Sequence, residues 1–183
     1  FMEHAAPEGS GAMSAVLGMD AAVIEDVLNG REGVSIANYN CPGQIVITGE
    51  ADAVAEAGTV LKEAGARRVL PLKVSGPFHS PMMRPAGEEL AKVFARVSMN
   101  PLKIPYVANI NAEVITDCGR IEGLLVEQVS GSVRWQQSVE TMIREGVDTF
   151  VEIGPGKTLT GFLRKIDKNV KAYHIGSWEE AVQ

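Results

Sequence analysis

The chain has 183 residues, 45% hydrophobic and 22% charged, with 17 Lys and Arg against 23 Asp and Glu for a formal charge of −6. That length and balance can bury a real core, in one large or two small domains. The acidic balance argues against a nucleic-acid surface, and no apolar run approaches the roughly 18 residues that span a bilayer. Phe1-Met2-Glu3-His4 has neither the basic region nor the apolar run of a signal peptide, so a cytoplasmic setting is the default expectation. Cys41 and Cys118 have no Cys or His at metal-ligand spacing and read as reduced structural thiols, so no metal is expected.

Residues 11–17 are short and strand-like, 20–29 helical behind Asp20, and 34–40 strand-like again. Cys41-Pro42-Gly43 is a turn; 44–49 is a strand, 51–64 a helix ended by Gly65, and 67–72 a fourth strand. The order βαββαβ is the ferredoxin-like plan, in which two βαβ halves pack their helices on one face of an antiparallel sheet. Next comes Val74-Ser75-Gly76-Pro77-Phe78-His79-Ser80-Pro81, which puts a histidine in a turn-rich loop before a helix expected over 81–96, capped by Ser80 and closed by Pro101. Such loop ends are where α/β scaffolds usually hold catalytic groups. Residues 104–109 read as a buried strand, 121–129 and 135–145 as helices, 149–153 as another buried strand, 157–166 as a helix and 170–175 as a short strand. Strands alternating with helices indicate a layered α/β sheet.

Three stretches accompany the histidine loop: Asn38-Tyr39-Asn40-Cys41-Pro42-Gly43-Gln44, Glu127-Gln128 followed by Val133-Arg134-Trp135, and Glu152-Ile153-Gly154-Pro155-Gly156-Lys157. In this order, from Phe1 to about Ile175, the sequence resembles the malonyl-CoA:acyl-carrier-protein transacylases, which load malonyl units for fatty acid biosynthesis. The resemblance implies an α/β-hydrolase-like large domain with a ferredoxin-like subdomain inserted in it. Residues 11–72 would form the small unit, and 1–10 with 73–183 would belong to the large one. Several strands of the large sheet would then lie upstream of Phe1, leaving a sheet edge and an apolar face uncovered.

The resemblance also assigns chemistry. Acyl transfer between thiols needs a nucleophile, a base, oxyanion donors and a means of recognising the acyl group. His79 stands at the family's general base, and the backbone carbonyl of Gln128 at the group that orients it. The bulky Phe78 goes with acceptance of malonyl and rejection of α-branched methylmalonyl. Asn38 and Asn40 are candidates for lining the cleft, with hydrogen bonding to the turn as the structural alternative. The family's nucleophile is a serine in a G-H-S-L-G elbow, and none of the serines here lies in a G-x-S-x-G pattern. The chain thus reads as the C-terminal part of a two-part active site, inactive alone and needing the N-terminal part of the same enzyme. The arginine that clamps malonate and the glutamine of the oxyanion hole have no counterpart in it either.

No cofactor is implied. The expected partners are malonyl-CoA and acyl carrier protein, a strongly acidic protein for which Arg67, Arg68 and Lys73 are the candidate docking groups. A solvated strand end is the competing reading of those three. Gly154-Pro155-Gly156-Lys157-Thr158 invites a phosphate-loop reading, but Val151 stands where a Walker motif needs glycine, so a structural role is expected. From another functional class, the βαββαβ pattern alone also supports a non-catalytic ferredoxin-like binding module, or a carrier-docking partner without activity.

Overall fold

The computed structural model describes residues 1–182. Its first half is built on strands β1 (Gly11–Leu17), β2 (Val34–Cys41), β3 (Gln44–Glu50) and β4 (Arg68–Pro71), with helix α1 (Ala21–Leu28) after β1 and α2 (Ala51–Glu63) after β3. The four strands form one antiparallel sheet in the order β2-β3-β1-β4. Pro42-Gly43 makes the β2–β3 hairpin between paired Cys41 and Gln44. Proline presets its own φ there, and Gly43 takes the left-handed φ of +72° that the turn requires.

Successive side chains of a strand face opposite sides, and this sheet buries both. Val16, Ile36, Ile45 and Ile47 pack with Ile24 and Leu28 of α1 and Val54 and Leu61 of α2. Met13, Ala15, Ala37 and Val46 form a second cluster, against which Phe78 packs. That is why β1 reads as a nearly continuous apolar run.

After the histidine loop, α3 (Arg84–Phe94) packs on α4 (Ile121–Ser130). The close approach needs a small residue: a Cβ at Gly87 would lie 3.2 Å from the Val126 carbonyl oxygen. Met83, Ala86 and Val129 form the core between them, and Phe78 joins this cluster too. Fully buried Met83 contributes about 1.5–3 kcal/mol by leaving water. Helices α5 (Trp135–Arg144) and α6 (Thr158–Ile166) follow, with β7 (Thr149–Ile153) pairing parallel to β8 (Lys171–Ile175). A final turn, α7 (Trp178–Ala181), ends the described chain.

Several sequence expectations are corrected. The helix expected over 81–96 begins as a 3₁₀ turn, Pro81–Met83, and is α-helical only over Arg84–Phe94. Two prolines, Pro81 and Pro85, remove backbone donors at this start. The buried strand expected over 104–109 shrinks to β5 (Tyr106–Ala108), hairpinned to a strand that was not anticipated, β6 (Glu113–Ile115), and Ile104 is 77% exposed. The other expected buried strand, β7, exists, yet Ile153 is 79% exposed and Val151 is also exposed. Among the described residues each of these sheets has two strands.

Candidate active site

The histidine loop is fixed from below by Pro77. This residue is fully buried, and its ring lies where any Cβ at Gly11, the first residue of β1, would have to be. Ser80, also fully buried, donates its hydroxyl to the Pro77 carbonyl (2.7 Å) and accepts from the Met82 amide (3.2 Å), capping the 3₁₀ turn as the sequence suggests. Between these anchors His79 is held at φ +60°. A left-handed conformation is uncommon for a residue with a side chain, and such outliers cluster at functional sites.

The His79 ring is oriented by one contact. Its Nδ1–H donates to the backbone carbonyl of Gln128 at 3.0 Å. A carbonyl only accepts, so in the neutral ring Nδ1 carries the proton and Nε2 keeps its lone pair. Gln128 lies in the last turn of α4, where carbonyls lack helical partners and the helix dipole favours a positive charge nearby. The arrangement therefore leaves the lone pair at Nε2.

The Gln128 side chain has a part as well. Its Nε2 donates to the carbonyls of Gly131 (2.9 Å) and Ser132 (3.3 Å), folding the chain back after α4. Residues 131–133 then run along the outer edge of β2. Val133 donates to the Ala37 carbonyl (2.7 Å) and accepts from the Tyr39 amide (2.9 Å), and the Ser132 hydroxyl donates to the Ile36 carbonyl (2.5 Å). A Cβ at Gly131 would meet the end of the Ile110 side chain and lie 3.0 Å from the Glu127 carbonyl oxygen.

His79 opens on a cavity of about 800 Å³. Phe78, Asn38, Met13, Leu72, Leu90 and Val129 are among its walls, so it lies between the four-stranded sheet and the α3–α4 pair. The cavity joins His79, Phe78 and Asn38 and sets Gln128 behind the histidine. Asn40 is not among the lining residues; it occupies an irregularity of β2, between the paired positions Tyr39 and Cys41. Lys73 is exposed at the rim, between the lining residues Leu72 and Val74. Arg67 and Arg68, also exposed, stand roughly 16–20 Å from Lys73 by strand rise, at and just before the start of β4, with Arg68 paired to Leu17 at the far end of β1.

The glycine-rich stretch before α6 is occupied by the protein itself. The Glu152 carboxylate accepts from the amides of Leu159 (3.1 Å) and Thr160 (2.7 Å) and from the Thr160 hydroxyl (2.6 Å). Desolvation works against its charge, but the Thr160 and Leu159 hydrogen bonds outweigh it and hold the carboxyl below the usual carboxylate range. Two amides in the first turn of α6 are thus engaged by the protein's own carboxylate, in keeping with a structural role. Among the described residues, no helix is long and apolar enough to cross a membrane, and no three His, Cys, Asp or Glu side chains gather to hold a metal ion.

A histidine whose Nδ1 is fixed by a backbone carbonyl, set beside an apolar cavity on an α/β scaffold, leaves Nε2 as a group able to accept a proton. The chain belongs to the acyl transferase domain family, whose match runs over residues 1–180. It is 44% identical over 183 residues to the malonyl CoA-acyl carrier protein transacylase of Bacillus subtilis (strain 168), a match covering 98% of this chain and 58% of that protein. The crystal structure of a malonyl CoA-acyl carrier protein transacylase from Clostridium perfringens superposes with a TM-score of 0.94 at 40% identity, over 99% of this chain and 58% of that one. Another similar structure is a type II PKS acyl-carrier protein in complex with its malonyl-transacylase, with a TM-score of 0.91 at 37% identity, over 99% of this chain and 60% of that one. The chain therefore spans about three-fifths of the length of these relatives.

Proposed function

We propose that these residues carry the base and acyl-selecting wall of a malonyl-CoA:acyl-carrier-protein transacylase acting in cytoplasmic fatty acid biosynthesis. The observation that carries this reading is the 3.0 Å contact from His79 Nδ1 to the Gln128 carbonyl, made at the wall of a cavity of about 800 Å³. A serine from outside these 183 residues attacks the malonyl thioester while His79 Nε2 takes its proton. The tetrahedral intermediate collapses, and the coenzyme A thiolate leaves with that proton. The phosphopantetheine thiol of acyl carrier protein then gives its proton to His79 and attacks the malonyl-serine ester, and the serine oxygen leaves with that proton from His79. Without the serine, the 183-residue chain transfers nothing.

Phe78 fills the space beside the acyl carbon and so discriminates against an α-methyl, and Asn38 supplies a polar group to the cavity wall. Lys73, with Arg67 and Arg68 behind it, meets the acidic carrier. Residues 11–72 form a ferredoxin-like subdomain, a reading supported by the order β2-β3-β1-β4 with every pair antiparallel. Residues 1–10 and 73–183 belong to an α/β-hydrolase-like large domain, with the parallel pair β7–β8 as part of its sheet. The test is His79→Ala in the enzyme with its serine-bearing segment. Malonyl transfer should fall by about 10²–10⁴-fold, as for loss of a general base, with folding little changed. Near-normal turnover at neutral pH would remove His79 from the mechanism.

A further inference from the structure

Residues 131–133 join two parts of the molecule that the mechanism has so far treated separately. On one side they are tied to the outer edge of β2, where the Ile36 and Ala37 carbonyls and the Tyr39 amide are taken up by Ser132 Oγ, Val133 N and Val133 O. On the other side the Gln128 amide grips the Gly131 and Ser132 carbonyls, and the Gln128 carbonyl accepts from His79. A continuous line of hydrogen bonds thus runs from the sheet edge through Ser132 and Gln128 to the imidazole. Ser132 is the one residue in it that grips both ends, its carbonyl holding Gln128 and its hydroxyl holding Ile36.

We propose that Ser132 is a positioning residue for acyl transfer: by pinning residues 131–133 to β2 it fixes the height of the Gln128 carbonyl and so the direction of His79 Nε2. This rests on reading His79 as the base. The two Val133 backbone bonds keep the segment docked when the hydroxyl is removed, so losing it loosens the alignment without unfolding the chain. The contact touches no wall of the cavity, since neither Ser132 nor Ile36 lines it, and substrate binding is left alone.

In the full-length enzyme, Ser132→Ala should lower kcat by about 2- to 10-fold, the worth of one side-chain hydrogen bond, with KM for malonyl-CoA unchanged. The His79 Nδ1–H proton, followed by NMR in 15N-histidine-labelled enzyme, should exchange faster with water. Ser132→Thr should restore both properties and Ser132→Val, of the same shape without the hydroxyl, should not. The Thr–Val comparison also serves if alanine destabilises the fold. Parental kcat and proton exchange in Ser132→Ala, or equal kcat in Ser132→Thr and Ser132→Val, would overturn the positioning role. If His79→Ala has meanwhile lost turnover, the base reading survives that result. Retained turnover in His79→Ala removes both.

Discussion

Replacing Gly11 with alanine tests how the fold sets the histidine loop. Gly11 pairs with Glu50 at the start of β1 and has no left-handed backbone to protect, so a methyl group there acts through space alone. That space is filled: an added Cβ meets three atoms of the Pro77 ring, which is fully buried and cannot retreat into solvent. Forcing a methyl into a filled core costs about 1–3 kcal/mol. For a chain of this size each kcal/mol lowers Tm by about 2–4 °C, so thermal unfolding of Gly11→Ala should come roughly 2–12 °C earlier. Because Pro77 leads into Phe78 and His79, the strain should also displace the base, and a misplacement near 1 Å costs about 10²-fold in rate. Pro77→Gly removes the ring, so the double variant should be less destabilised than the sum of the two singles, by about 0.5–3 kcal/mol. A Gly11→Ala chain melting within about 1 °C of the parent, or strictly additive singles, would refute the reasoning.

Phe78→Ala should shift the malonyl to methylmalonyl ratio of kcat/KM toward methylmalonyl by about 1–3 kcal/mol; an unchanged ratio would leave Phe78 with its packing role alone. Lys73→Glu should raise KM for acyl carrier protein but not for a small pantetheine thiol, with the gap closing as salt is added, while Arg68→Glu should do less because it stands further from the cavity. Equal effects on both acceptors would count against docking. Because hydrogen bonds hold the Glu152 carboxyl below its unfolded value, its stabilising contribution is complete above the ordinary carboxylate range and is lost as pH falls through the depressed folded value. Urea titrations between about pH 2 and 6 should therefore show a steeper acid loss for the parent than for Glu152→Gln, and parallel curves would contradict this.

Local chemistry explains what the sequence made legible. Residues 11–17 match β1 to the residue, and Pro42-Gly43 marks the hairpin, because period-two patterning and turn residues act over a few positions. Elsewhere the pattern named a strand correctly and its burial incorrectly. Val151 and Ile153 lie in β7, but burial depends on which elements lie across from them, and a run of residues does not encode that. β6 was missed because it is three residues long, although Asn111, whose side chain accepts from the Glu113 amide, marks the tight turn before it. His79, Phe78 and Gln128 are singled out by family resemblance, and the structure brings them together at one cavity. The left-handed His79, the second grip of the Gln128 side chain and the Ser132–Ile36 bond were not legible, since that last contact joins residues 96 positions apart.

In the proposed mechanism His79 activates a serine supplied from outside these residues. This step is tested most directly by intact-mass and peptide mapping of the malonyl-enzyme formed in a rapid-quench reaction, comparing the full-length enzyme, its His79→Ala variant and the 183-residue chain alone. One malonyl adduct is expected on a serine outside this segment, with formation about 10²–10⁴-fold slower in His79→Ala and no adduct on the chain alone. An adduct on any serine within these 183 residues, or equal rates of formation in parent and variant, would contradict the mechanism.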